Sequence, residues 1–475
     1  MMEDSNQALS VRLCRVRQTL AVGGLVLLAF TWPLWTAQHV FPRIVLFNFI
    51  GQWSDRLTLG VHWIGLGLLV LSSVGLVIGL PRMWSKLEGR WLRGLGLLMV
   101  LAWGVLIALD QHRLQPWVAH LSMATLLIVF GRPRARLQYL GWFTASIYVY
   151  SALSKFDAQF LYTVGQEFVG GLLALFGWRL AALPTETRFW MATGLPLLEL
   201  VIGVGLIFQR TRAVAAVVAI GMHTSVIGLL GPWGLNHAWG VLAWNALFIV
   251  LDWQVFLFRP RPCSVRSDAD LAKHRGRADE SDRGELQEIT AALPASGTEL
   301  QEKRLALRKG PAFGLAEILL VVAVVAPLGE RSGWTDHWLG WAVYAPHSSR
   351  ARIEITLAAA DRLPPSIRPF VACDLDSGVS WCEVRIDRWS LAALRAPVYP
   401  QQRFQVGVAR ALCPWIGEDE LRVELLSAAN RWNGRRTRSV VVGCRQLKAV
   451  ADQYWFSTDP TFVEPETDPL RIVSP

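Results

Sequence analysis

Residues 138–157 read Gln-Tyr-Leu-Gly-Trp-Phe-Thr-Ala-Ser-Ile-Tyr-Val-Tyr-Ser-Ala-Leu-Ser-Lys-Phe-Asp. The first 17 carry no formal charge, and then Lys155 and Asp157 arrive together. An uncharged stretch of that length approaches what a helix needs to cross the hydrocarbon core of a bilayer. Lysine at the end of such a stretch is costly to place, so it marks either a structural ion pair or chemistry.

Similar stretches recur on both sides. We read spans near 19–36, 60–81, 94–109, 116–131, 138–154, 189–208, 213–231, 238–258 and 312–329. The expectation is an α-helical polytopic membrane bundle of about nine transmembrane helices with a C-terminal extracytoplasmic α+β domain. Four regions follow: a membrane domain (1–258), a charged cytoplasmic linker (259–310), a last transmembrane helix (311–330) and the outer domain (331–475).

Arginine and lysine set the orientation. Segments 1–18, 82–93, 132–137 and 209–212 hold twelve basic residues, against six in the loops on the opposite side. The N-terminus is therefore expected in the cytoplasm and the C-terminal domain outside it. The net charge of +10 is largely this bias, so nucleic-acid binding is not expected. The first apolar block lacks a small-residue cleavage site and reads as an anchor. Segments 37–59 and 156–186 mix aromatic and polar residues, as interfacial amphipathic helices do.

Cysteine usage agrees with an oxidising outer compartment, since four of the six cysteines lie beyond residue 331. Cys373 and Cys382 bracket a turn at Asp376-Ser377-Gly378, which would set them opposite each other. Cys413–Cys444 then follows by elimination, and buried free thiols are the alternative. Within the outer domain we expect strands at 352–358, 381–386, 421–427 and 438–444. Helical stretches are expected at 389–394, 402–412 and 445–452. Trp432-Asn433-Gly434-Arg435-Arg436 reads as the turn of a hairpin between the last two strands. Trp334, Trp338, Trp341 and Tyr344 are candidates for docking this domain on the membrane surface.

Ionisable residues inside the spans are few: His62, His120, Lys155, Glu199, His223 and Glu317, with His237 and Asp252 flanking the eighth. Lys155, Glu199 and His223 fall where they could meet beneath the outer surface. Desolvation would let a buried lysine serve as a base. A Lys155–Glu199 or Lys155–Asp157 pair that only satisfies the bundle explains the same residues. The histidines show no metal-ligand spacing, and no metal is expected.

The block from Tyr148 to Asp252 resembles the HTTM domain, the membrane part of vitamin K-dependent γ-carboxylase and of many bacterial proteins. The resemblance rests on Tyr148, Lys155-Phe156-Asp157, Leu198-Glu199-Leu200 with Gly203 and Gly205, Arg210-Thr211-Arg212 and Met222-His223. It departs at Phe160, Gly165 and Val226. It implies a membrane quinone as cofactor, with Lys155 as the base and His223 and Glu199 shaping its pocket. The stretch 195–206 also resembles DoxX/MauE-type membrane proteins. Two readings follow from these resemblances. One is a quinone-linked enzyme of a bacterial inner membrane acting on an extracytoplasmic polypeptide. The other is a non-catalytic scaffold for a periplasmic redox protein.

Overall fold

The computed structural model describes residues 2–36, 42–79, 85–259, 314–373 and 381–461. The expected linker, the turn at Asp376-Ser377-Gly378, Cys263 and the last fourteen residues lie outside the described residues.

Every apolar stretch expected from the sequence is helical where described. The membrane body contains α1 (Met2–Phe30), α2 (Asp55–Ile78), α3 (Ser85–Leu109), α4 (Pro116–Phe130) and α5 (Arg136–Lys155). It continues with α6 (Val164–Ala174), α7 (Thr185–Ile207), α8 (Arg212–Leu230), α9 (Trp239–Asp252) and α10 (Leu315–Val325). Six helices among the described residues are long and apolar enough to cross a membrane. They lie in α1, α2, α3, α7, α8 and α9 with its extension to Leu257.

The expected nine therefore reduce to six by this measure. Pro116–Phe130 and Leu315–Gly329 are apolar but short. The 20-residue α5 is diluted by serine, threonine and tyrosine. Its polar groups turn inward: Thr144 and Ser146 are buried. Outward faces show the reverse pattern, with Leu71, Ile78, Val201 and Val214 each more than half exposed. Apolar surface of that extent is stable when lipid, rather than water, is the solvent. The protein is an integral membrane protein.

Helices α5 and α7 pack closely because Gly203 has no side chain. A Cβ there would lie 2.8 Å from Val149 Cγ2 and 3.0 Å from the Ala145 carbonyl oxygen. This approach brings the Lys155 end of α5 against the middle of α7.

The C-terminal domain, labelled outer after the side expected from the sequence, is built on a five-stranded antiparallel sheet. Its strands are β2 (Arg350–Thr356), β3 (Val371–Cys373), β4 (Trp381–Val384), β5 (Leu421–Leu426) and β6 (Arg438–Val442), in the order β3-β4-β2-β5-β6. A separate strand, β1 (Arg43–Ile44), lies in the loop after α1 and pairs antiparallel with β7 (Pro460–Thr461). Helix α11 (Gln402–Leu412) covers β2, and α12 (Cys444–Ala451) follows β6. Apolar residues at one face of α11, including Phe404, Val408 and Leu412, are fully buried, as an amphipathic helix on a sheet requires.

The four strands and three helical stretches read from the sequence are present, within two or three residues at each boundary. Strand β3 escaped notice. The expected hairpin between the last two strands is the β5–β6 pair. Segment 37–59 differs from expectation, since residues 43–52 form a strand and a 3-10 turn instead of an amphipathic helix. Its backbone is drawn out by partners on both sides: Leu46 N–H donates to Ala108 O, and Ser457 N–H donates to Leu46 O. Segment 156–186 does hold helices, Ala158–Tyr162 and α6.

Both cysteine pairs are bonded. Cys373 and Cys382 sit directly across β3 and β4 with Cα atoms 4.3 Å apart. Cys413–Cys444 joins the end of α11 to the start of α12, with Cα atoms 5.9 Å apart. Of the aromatic group at 334–344, Trp338 and Trp341 are buried, whereas Trp334 is 90% exposed.

Candidate functional site

A cavity of about 590 Å³ lies where the membrane helices meet the outer domain. Lys155, Glu199 and His223, the three residues singled out from the sequence, all line it. Most of its wall is apolar, from Trp117, Phe160, Leu195 and Phe248 among others. Residues of 338–344 and 395–398 close it on the side of the C-terminal domain.

Lys155 is the last residue of α5 and is 5% exposed. Its ammonium donates to Glu199 Oε1 at 2.7 Å, Glu199 Oε2 at 2.8 Å and Ser151 Oγ at 2.7 Å. All three protons are thus engaged, and two unit charges are held almost free of water. Asp157, the other candidate partner, does something else. It caps the following short helix by accepting from Gln159 N–H, and it faces Arg331 at 3.4 Å.

The outer domain fixes this helix end. Arg431 Nε donates to the Phe156 carbonyl at 2.7 Å and Arg431 Nη2 to that of Leu153 at 3.1 Å. A guanidinium on the last carbonyls of a helix satisfies acceptors that have no partner within it and opposes its dipole. Gln159 Nε2 donates to the Gly434 carbonyl at 3.1 Å. The Asn-Gly turn between β5 and β6 therefore reaches down to the lysine-bearing helix, a role its sequence did not suggest.

Two turns back along α5 from Lys155, Tyr148 joins His223 and Asp252 in a relay of three side chains. The Tyr148 hydroxyl lies 2.8 Å from His223 Nε2 and 2.6 Å from Asp252 Oδ2. His223 Nδ1 lies 2.8 Å from Asn245 Oδ1, and Asn245 Nδ2 donates to the Val241 carbonyl at 2.9 Å. That amide orientation makes Asn245 Oδ1 an acceptor, so His223 Nδ1 carries a proton. One hydroxyl proton cannot satisfy both neighbours of Tyr148. An additional proton, on Asp252 (which would then donate to Tyr148) or on His223 Nε2, would satisfy both contacts. Such a proton could pass between the carboxyl and the imidazole through the phenol. No hydrogen bond among the described residues links it to Lys155.

Tyr148 and Asp252 were visible in the sequence as an apolar-span tyrosine and a flanking acid. Asn245 was not singled out, and its only signal was an amide inside an apolar run. Two further polar groups matter. Trp341 Nε1 and Tyr344 OH are buried without a hydrogen-bond partner, and both residues line the cavity. Buried donors left unmet carry a free-energy cost, which a ligand in the cavity would relieve.

The remaining histidines have other partners, although His237 also lines the cavity. His62 Nδ1 lies 3.1 Å from Arg113 Nη1, His120 accepts from Trp244 Nε1, and His237 accepts from Ala238 N–H. His112 Nε2 is 3.0 Å from both the Pro397 carbonyl and Ser390 Oγ, and burial pushes its pKa down to about 4. Glu317 joins Tyr139 and Arg132 away from the cavity. Among the described residues one group offers several metal-type donors together: Glu330, His337 and His347. Sequence spacing did not reveal it.

No protein-family model, no curated protein and no solved structure matches the chain.

Proposed function

We propose that this integral membrane protein binds a membrane quinone in the cavity between its helices and its outer domain, and moves protons there. The observation that carries the reading is the convergence, on one largely apolar cavity, of a buried ion pair and a phenol-bridged proton relay. A flat apolar ring bearing two oxygens suits such a cavity, because few placed polar groups fix orientation while apolar walls supply affinity. Trp341 Nε1 and Tyr344 OH are free to donate to one oxygen. Lys155 can act as a base once its proton passes to Glu199, 2.7 Å away.

The HTTM-like character of 148–252 supports the same assignment, with an extracytoplasmic polypeptide as the second substrate. The basic bias of 1–18, 82–93, 132–137 and 209–212 and the two outer-domain disulfides support an inner membrane with the N-terminus cytoplasmic. The scaffold reading has its own support, since a lysine with every proton bonded is what a purely structural pair looks like. In that case residues 331–475 recruit a redox protein.

Native mass spectrometry of the full chain, with ubiquinone or menaquinone added, separates the two. Wild type is expected to retain one quinone. Trp341→Phe and Tyr344→Phe, which remove the two free donors, are expected to weaken retention about tenfold, as loss of a hydrogen bond to a buried group does. A folded wild type that retains neither quinone refutes this function.

A further inference from the structure

Between the last membrane helix and the outer domain, Glu330, His337 and His347 bring one carboxylate and two imidazoles together. Their ligand atoms all lie within 4.8 Å of one another. His337 Nδ1 is 2.6 Å from Glu330 Oε1. His347 Nε2 is 2.9 Å from Oε1 and 3.2 Å from Oε2. Both histidines are 4% exposed or less.

The hydrogen-bond inventory leaves room for a cation here. His337 Nε2 is 2.8 Å from the Ala345 carbonyl, which can only accept, so Nε2 carries the ring proton. A neutral His337 then aims its Nδ1 lone pair at a carboxylate oxygen. Positive charge must stand between them, either a proton or a metal ion. His347 Nδ1 has no hydrogen-bond partner, so moving the ring proton there breaks no other contact and would leave the Nε2 lone pair for a metal ion. A ligating histidine whose other N–H donates to a backbone carbonyl is the usual outer-shell arrangement at metal sites.

We infer that Glu330, His337 and His347 bind a divalent transition-metal ion, with zinc the best match to a donor set of two imidazoles and one carboxylate. The surrounding chain is shaped for this convergence. Trp341 and Tyr344 adopt positive φ of 59° and 62°, uncommon for large side chains. Gly340 lies so close that a Cβ would sit 2.5 Å from Glu330 Cβ. The loop held at both ends by His337 and His347 carries Trp338, Trp341 and Tyr344, which close the cavity on its outer side. The ion would pin that wall.

The test uses the purified full chain, stripped with chelator and titrated with Co²⁺ alone. One Co²⁺ per chain is expected, with the intense visible bands of low-coordinate nitrogen and oxygen ligation. Zn²⁺ should displace it and raise the melting temperature. His337→Ala and Glu330→Gln should each weaken uptake at least tenfold with the far-ultraviolet circular dichroism unchanged. Should a variant fail to fold, the wild-type spectrum decides. Absence of uptake by folded wild type, bands of a six-coordinate aquo ion, or equal uptake by folded variants overturns the assignment, leaving a proton as the bridging charge.

Discussion

His112 is a residue whose consequence can be stated with a sign. It is buried among outer-domain atoms, against the Pro397 carbonyl and Ser390 Oγ. Burial lowers its pKa from 6.5 to about 4. The unfolded chain therefore binds more protons than the folded one between those values, and stability rises with pH across that window. Its neutral form contributes fully above about pH 6.5, and roughly 3 kcal/mol is lost as pH falls toward 4. Protection factors of the amides of residues 389–398, that is exchange corrected for its intrinsic pH dependence, should fall as pH drops through that window in wild type. In His112→Gln the same protection factors should be nearly flat with pH.

Among elements, the α5–α7 contact governs the ion pair. Gly203→Val would force the helices apart where the Ala145 carbonyl and Val149 now touch the glycine. Overpacking of this kind costs about 1–3 kcal/mol. A drop in melting temperature and a loss of quinone retention should appear together, although residue 203 does not line the cavity. The element level is also where the sequence spoke most clearly. Helix α11 shows helical spacing in Phe404, Val408 and Leu412; β2 alternates Ile353 and Ile355 with charged residues, β5 alternates Leu421, Val423 and Leu425 with Arg422 and Glu424, and β6 holds the valine run 440–442. Strand β3 was missed because three residues, Val371–Cys373, carry too little pattern to register. Lys155, Glu199 and His223 were legible because a polar group in an apolar span has few explanations. Asn245 carries the same signal more weakly. Glu330, His337 and His347 were not legible, because the turns at Gly333, Trp341 and Tyr344 that gather them leave no spacing rule in the chain.

At the scale of the molecule, buried polar contacts join the outer domain to the membrane body. Arg403 donates to both oxygens of Asp336 at 2.8 Å and to Gln111 Oε1 at 2.9 Å. Gln111 Nε2 in turn donates to the Val45 and Ser457 carbonyls. Arg403→Ala would strand a half-buried carboxylate, a loss of about 3–5 kcal/mol for breaking such a pair. Limited proteolysis should then release the outer domain at protease concentrations that leave wild type intact.

The pairing of β1 with β7 has a further bearing on assembly. Arg43 is made 418 residues before its partner Thr461. The short edge near the first helix waits, with unmet amides and carbonyls, until β7 has been made. The finished protein is buckled at both ends of its outer half, by the α10 tether and by this late clasp. Shortening the chain before Pro460 would open that clasp and leave side-chain contacts such as Arg431 to Phe156 and Arg403 to Gln111 to hold the two halves together.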